Sequence, residues 1–392
     1  MTPAARVATS IELLDTIVAA ARGQGAPADR ILAEWFRGNR FAGSKDRRAI
    51  RELVYAAIRA CGPIPESGRA AMLRLAEVDP AIAPLFDGSR YGPAPIGEGE
   101  TAAQGGIAPD WLTQRLAADG IADNEAVALL DRAPLDLRVN TLKSDRAGID
   151  LPEEAEPTAA PQGLRAAAGT KVEQWPAYRE GLVEIQDTGS QLACLALNAQ
   201  PGETVIDLCA GGGGKTLALA AAMDNLGRLF ACDTDRGRLS KLAPRAERAG
   251  ATMIETRLLD PGREMEALQD LVGQADAVLV DAPCSGTGTW RRNPEARWRL
   301  TPQSLDRLLA MQAQILDNAV RLLRPGGRLV YVVCSLLDAE GPDQFAALRE
   351  RHSALALRQL ALPLGRERGQ GIRLTPHQDG TDGFFIACAG AA

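Results

Sequence analysis

At 392 residues, with 46% hydrophobic and 24% charged side chains, the chain predicts a soluble globular protein of two or three domains, and a net charge of −6 excludes a surface that attracts polyanions everywhere. No run of eighteen apolar residues occurs to span a membrane, and Glu12 and Asp15 spoil the N-terminal apolar segment as a signal peptide. Seven cysteines without a C-x-x-C pair, and only His352 and His377, exclude a disulfide framework and a zinc or three-histidine metal centre, and predict free thiols in a reducing cytoplasm.

Residues 8–60 read as helices, with Ile11, Leu14, Ile17 and Val18, and then Ile50, Leu53, Val54 and Ile58, at helical spacing. Within them, Arg37, Arg40, Lys45, Arg47, Arg48, Arg51 and Arg59 face only Asp46 and Glu52. Residues 61–110 hold seven prolines and many glycines, which predicts a linker with one short helix. "PDWLTQRLAADG" opens a new helix at Pro109 and Asp110. "LDLRVNTLK" (135–143) alternates like a half-buried strand, and 151–170, rich in Ala, Pro and Glu, reads as an irregular insertion.

From residue 203 strands and helices alternate. The candidate strands are "ETVIDLC", "GRLFACD", "TMIETR", "ADAVLVDAP" and "GGRLVYVVCS", with helices such as "TLALAAAM" and "RLLAMQAQILDNAVRLL" between them. That order predicts an α/β, Rossmann-like, doubly wound parallel sheet, to which "DGFFIACAG" adds a last strand. A second basic cluster, "RRNPEARWR" (291–299), has four arginines against Glu295. One such cluster is ordinarily a solvated helix face. Two, one of them just after a thiol-bearing loop, point to a nucleic-acid substrate held locally.

"VIDLCAGGGGKT" runs from a strand through glycines into a helix, so backbone N–H groups can meet a ligand there. The phosphate-loop pattern fails because Cys209 stands where its first glycine belongs, and the dinucleotide pattern fails at Thr216. Asp207 on the first strand and Asp233 ending the second remain, and an acid at the second position takes ribose hydroxyls. A cofactor with a ribose but no phosphate fits: S-adenosylmethionine.

These motifs together resemble the RsmB/NOP/Sun-type RNA (cytosine-5) methyltransferases. Asp207–Thr216 is similar to the family's D-L-C-A-x-P-G-G-K-T, with Gly212 in the proline's place. "VEIQDTGSQLA", "DAPCSGTG", "YVVCS", "LDLRVNTLK" and "DGFFIA" resemble its other segments, and the resemblance covers about 107–390. Val333 stands where a threonine is common, and "LLDAEG" where an E-N-E-like run is common. The N-terminal "SKDRRAIRELVYAAIR" resembles a reduced NusB-like RNA-binding domain.

The resemblance implies a helical NusB-like region with its linker over 1–100, a small α+β region over 101–178, and a class I S-adenosylmethionine-dependent methyltransferase domain over 179–392. It implies cofactor contacts from Cys209, Ala210, Gly211, Gly212, Gly213, Gly214, Lys215, Asp233, Asp260 and Asp281. RNA is expected against Lys45, Arg47, Arg48, Arg51, Arg291 and Arg292. Methylating carbon 5 of cytosine requires a thiolate adding to carbon 6, an acid near ring N3 and a base. Asp281, Cys284 and Cys334 lie at the carboxyl ends of predicted neighbouring strands, where ligands of doubly wound sheets bind. In similar RNA enzymes the later cysteine, here Cys334, attacks, and the earlier, here Cys284, assists release. A monomer acting on ribosomal RNA is expected, with transfer-RNA methylation or an inactive RNA-binding assembly factor as alternatives.

Overall fold

Apolar residues at helical spacing near the N-terminus form α1 (Pro3–Arg22), α2 (Ala28–Gly38) and α3 (Ser44–Ala60) of a computed structural model that describes residues 1–23 and 25–391. Thr2 caps α1 by accepting the Ala5 N–H at 3.2 Å, and Pro3 occupies the first turn, where a missing N–H is harmless. The proline-rich stretch read as a linker is packed structure. It contains α4 (Gly68–Val78), capped by Ser67, and its Met72, Leu75, Ile82 and Phe86 share one core with Leu14, Ile17, Ile50 and Ile58. Apolar side chains between the prolines outweigh their breaker composition. Two more helices, α5 (Asp110–Ala118) and α6 (Asp123–Ala128), belong to this unit, which spans 1–131 and takes in 289–301.

That returning segment carries the second arginine cluster, and it is a structural strap. Arg297 is fully buried and donates to the carbonyls of Ile58 at 2.7 Å, Cys61 at 2.6 Å and Pro294. Ile58 and Cys61 lie at the end of α3, where helix carbonyls lack intrahelical partners. Trp298 Nε1 donates to the Gly62 carbonyl at 3.2 Å, and Glu295 accepts the Ala28 N–H at 3.0 Å where α2 begins. Burial pulls the Arg297 guanidinium down to about 9. The expectation that Arg291 faces RNA is corrected. Arg291 is buried, its carbonyl accepting from Arg59 at 3.1 Å, and Arg292 is half-buried.

The second unit, 132–288 with 302–392, opens with β1 (Leu135–Val139), β2 (Ala155–Pro157), β3 (Gly163–Ala166), α7 (Pro176–Arg179) and β4 (Val183–Ile185). These strands form an antiparallel sheet in the order β2-β3-β1-β4. The segment read as an irregular insertion thus supplies two strands of it. Buried Asn140 donates to the carbonyls of Gly181 and Ala249, both at 2.8 Å, so the turn after β1 is held by backbone acceptors.

The chain continues through α8 (Thr188–Leu197), β5 (Thr204–Asp207), α9 (Gly214–Ala222), β6 (Arg228–Asp233), α10 (Arg236–Leu239), α11 (Leu242–Ala249), β7 (Ile254–Leu258) and β8 (Ala275–Asp281). Then come α12 (Pro302–Leu322), β9 (Leu323–Val333), α13 (Pro342–Arg351), β10 (Leu355–Arg358), β11 (Arg366–Arg368), β12 (Gly371–Leu374), α14 (Pro376–Asp379) and β13 (Phe384–Ala391). The sheet order is β11-β12-β13-β9-β8-β5-β6-β7, with β10 also on β13. Strands β9, β8, β5, β6 and β7 pair in parallel, and β10 to β13 add an antiparallel half. The parallel strands are apolar on both faces. Val205, Ala277, Leu279 and Val330 pack to one side, and Ile206, Val278, Val280 and Tyr331 to the other. Connections run outward from β5 through β6 and β7, then return to β8 on its other side, so the topological switch point lies between β5 and β8. Gly288 and Gly383 meet back to back; a Cβ on Gly288 would lie 2.1 Å from the Gly383 carbonyl oxygen, so neither position accepts a side chain. No described helix is long and apolar enough to cross a membrane, and no described group of three His, Cys, Asp or Glu could hold a metal.

The strap gives a test of the first unit. Arg297→Met leaves three carbonyls without their donor and should cost about 3 kcal/mol in the urea transition of the helical unit. Followed by a tryptophan signal, an unchanged midpoint would remove Arg297 from the fold's supports.

Candidate active site

At the carboxyl ends of β5, β6, β8 and β9 the second unit holds a cavity of about 750 Å³, within the range of small-molecule sites. Its wall carries Cys209 after β5, Asp233 ending β6, Asp281 and Cys284 from the end of β8, and Cys334 just past β9. Pro261, Met311 and Ile315 supply an apolar side. Five sequence-predicted residues from four separate strands therefore meet on one cavity, whereas Ala210, Gly211, Gly212, Gly213, Gly214, Lys215 and Asp260 lie outside its lining.

The glycine loop is shaped by what lies behind it. Gly213 has φ +84°, and a Cβ there would lie 2.1 Å from Leu242 Cδ1, so glycine is required. The Gly211 N–H donates to Asp233 Oδ2 at 2.7 Å, and the Asp235 N–H to Asp233 Oδ1 at 2.7 Å. Both carboxylate oxygens keep a further lone pair for a ligand. Ala210 is buried, and Gly211, Gly212, Gly213 and Gly214 form the turn into α9. Asp260, between the cavity residues Leu259 and Pro261, is exposed and pairs loosely with Arg263 at 3.8 Å. Where the family has proline, the Gly212 carbonyl accepts from Arg245, which is itself held by buried Glu184 at 2.9 Å. A guanidinium thus restrains the loop that lacks the proline ring.

The two thiols are neighbours. Cys284 Sγ and Cys334 Sγ are 3.4 Å apart, half-buried and not bonded as a disulfide. The Cys334 sulfur and then burial hold the Cys284 thiol well above the ordinary thiol range. Lys215, which follows the glycine loop, donates to Asp281 Oδ2 at 2.6 Å, and its ammonium lies 5.7 Å from the Phe384 ring centroid. Burial pulls the Lys215 ammonium down, but the Asp281 charge and hydrogen bond, with the Cys194 and Cys334 sulfurs, leave it above the ordinary lysine range.

Sequence reasoning missed Glu340. This fully buried carboxylate accepts from the Ser285 N–H at 2.8 Å, the Ser285 hydroxyl, the Ser335 hydroxyl at 2.5 Å and Gln312 Nε2 at 3.0 Å. Ser285 and Ser335 each follow one of the two cysteines, so one carboxylate ties both thiol loops. The signal in the sequence is the second of the two acids, Asp338 and Glu340, in "LLDAEG", a segment that departs from the E-N-E-like run. Of the residues expected to meet RNA in the helical unit, Lys45, Arg48 and Arg51 are exposed. Arg47 is half-buried, with Nε donating to the Ala42 carbonyl at 2.7 Å.

Fold and site together define a class I methyltransferase, a class whose cofactor is S-adenosylmethionine. Residues 194–389 match the family described as 16S rRNA methyltransferase RsmB/F. The chain is 37% identical over 297 residues to the probable ribosomal RNA small subunit methyltransferase B of Synechocystis sp., covering 71% of this chain and 66% of that protein. It is 33% identical to the ribosomal RNA small subunit methyltransferase B of Sodalis glossinidius, covering 76% and 69%. A solved methyltransferase homolog from Pyrococcus horikoshii superposes with a TM-score of 0.59 at 25% identity, covering 72% of this chain and 99% of that one. The chain belongs to the RsmB/F methyltransferase family. It spans about two thirds of the length of the curated relatives it matches.

Asp207 generates a pH prediction. Its Oδ2 accepts from Thr216 at 2.7 Å, its Oδ1 has no partner among the described residues, and burial lifts the carboxyl to about 7. The unfolded chain releases this proton near pH 4 and the folded one near 7, so the contribution is complete below about 4 and is lost as pH rises through 7. Urea melts between those values should show falling stability that Asp207→Asn flattens. An unaltered slope would mean that Asp207 is already ionised when folded.

Proposed function

We propose that the chain is an S-adenosylmethionine-dependent RNA (cytosine-5) methyltransferase whose substrate is small-subunit ribosomal RNA. The observation that carries this reading is the pair of free thiols 3.4 Å apart on the strand-end cavity. The names of the relatives supply the small-subunit RNA. The cavity fits the cofactor: Asp233 is fixed by two N–H groups with lone pairs to spare for ribose hydroxyls, and Pro261, Met311 and Ile315 offer an apolar wall to a purine. Cys209, the glycine loop and Asp260 are placed around the same ligand in this reading. Bound there, S-adenosylmethionine supplies an electrophilic methyl group.

Carbon 5 of cytosine is too weak a nucleophile to take that methyl group unaided. The Cys334 thiolate adds to carbon 6, forming an S–C bond and moving an electron pair toward carbon 5. Ring N3 gains a proton in the same step, and the Lys215–Asp281 pair stands ready to supply it. Once carbon 5 carries the methyl group, a base removes its proton. Elimination then breaks the S–C bond, returns the electron pair to Cys334 and gives the N3 proton back to the Lys215–Asp281 pair. Cys284 stays protonated at neutral pH because the neighbouring sulfur and burial raise its thiol. A protonated thiol attacks poorly but can give its proton to the departing sulfur. The contact between the sulfurs is symmetric, and the raised Cys284 thiol supports the assignment that the family resemblance implies, with Cys334 as nucleophile and Cys284 as release group. The target base must leave its stack to reach such a cavity, as base-modifying enzymes require.

The two cysteines should therefore fail differently. Cys334→Ala should give neither methylation nor an RNA crosslink. Cys284→Ala should still attack and transfer, then stall, and a covalent protein–RNA band should accumulate on a denaturing gel. A stable band from Cys334→Ala and none from Cys284→Ala would reverse the assignment.

A further inference from the structure

The helical unit bears a groove of about 690 Å³ that the chemistry above leaves unused. Its floor includes Ala5 and Ala8 of α1, and its sides carry Phe41, Arg90 and Tyr91. Phe41 is 69% exposed and Tyr91 65%, and among the described residues no other aromatic side chain stands so far into solvent. Most aromatic side chains of the chain are buried or half-buried, so two exposed rings on one groove are not explained by packing. The Arg90 guanidinium lies 5.1 Å from the Tyr91 ring centroid, and Phe41 meets Trp35 edge-on at 6.1 Å, which steadies its ring.

The charges of the segments that carry the rings have one dominant sign, with Arg90 on the groove itself. Arg37, Arg40, Lys45, Arg48, Arg51 and Arg90 are exposed in the same segments that carry Phe41 and Tyr91. Among the acids of these segments, Asp46 is paired with Arg6 at 2.8 Å and Glu52 with Arg48 at 3.3 Å, and Glu12 is the acid on the lining. Exposed rings beside guanidinium and ammonium groups match a strand whose bases are free to stack and whose phosphates are anionic. A duplex hides its base faces and could use only the cations.

We infer that this groove binds single-stranded RNA, with nucleobases stacked on Phe41 and Tyr91 and the backbone held by the neighbouring cations. The inference rests on RNA being the substrate, and it adds a base-stacking contact to the phosphate contacts expected of α3. The test uses the full chain and fluorescence anisotropy with a labelled single-stranded oligouridylate of about twelve nucleotides and a duplex of equal length. Phe41→Ala and Tyr91→Ala should each weaken single-strand binding by about fivefold or more, with the salt slope and the melting temperature unchanged. The leucine variants should weaken it similarly, because they keep apolar volume but lose the ring face. Duplex binding should not respond.

Single-strand affinity of the doubly substituted Phe41→Ala, Tyr91→Ala chain within about twofold of the parent would overturn the inference, as would equal losses on duplex and single strand. If those substitutions do nothing while neutralising Lys45, Arg48 and Arg51 flattens the salt slope, only the stacking proposal fails. If neither set changes binding, the RNA reading of this unit fails with it.

Discussion

The Glu340 carboxylate is the constraint on which the rest of the site depends. Removing a carboxylate from water is costly unless its lone pairs are satisfied, and here four donors satisfy them. Those donors come from the loops after β8 and β9 and from α12, so the charge is stable only while the three elements hold one arrangement. The thiols are thereby kept 3.4 Å apart, beyond the roughly 2 Å of a disulfide bond yet close enough to pass a proton. Gln312 adds a bond to the Pro283 carbonyl at 2.9 Å, and Tyr331 donates to the Glu340 carbonyl at 2.6 Å, so the loops are fastened through backbone as well.

The parallel strand order explains why these residues can cooperate at all. Neighbouring parallel strands end at the same edge, about 4.8 Å apart, and Asp281 pairs in register with Val332. Residues just beyond those positions, Cys284 and Cys334, are therefore brought together by topology before any side chain acts. The switch point beside β5 opens the crevice, and Asp233 closes it from β6. Lys215 serves both neighbourhoods, because it begins α9 after the glycine loop yet bonds Asp281.

Much of this was legible in residues because the signals were local. The glycine loop between "VID" and "TLALAAAM" predicts the strand–turn–helix now seen as β5 and α9, and the apolar runs before Cys284 and Cys334 predict β8 and β9. What stayed hidden depends on long-range packing. Strands β2, which is Ala-Glu-Pro, and β3 are short, and only pairing, β3 on β1 and β2 on β3, makes them strands. The 61–110 stretch is punctuated like a linker, yet Met72, Leu75 and Phe86 find a core. An arginine cluster looks the same in sequence whether it meets phosphates or helix-end carbonyls, and Arg297 does the latter. The Gly212 departure resembles a weakened loop until Arg245 is seen on its carbonyl.

The central claim is that the thiol pair methylates carbon 5 of a cytosine in small-subunit ribosomal RNA. Bisulfite sequencing of that RNA from cells deprived of this chain tests it most directly, because 5-methylcytosine resists conversion. The account predicts that a protected cytosine becomes convertible, and that the parent chain restores protection while a Cys334→Ser chain does not. Identical conversion maps with and without the chain would contradict it.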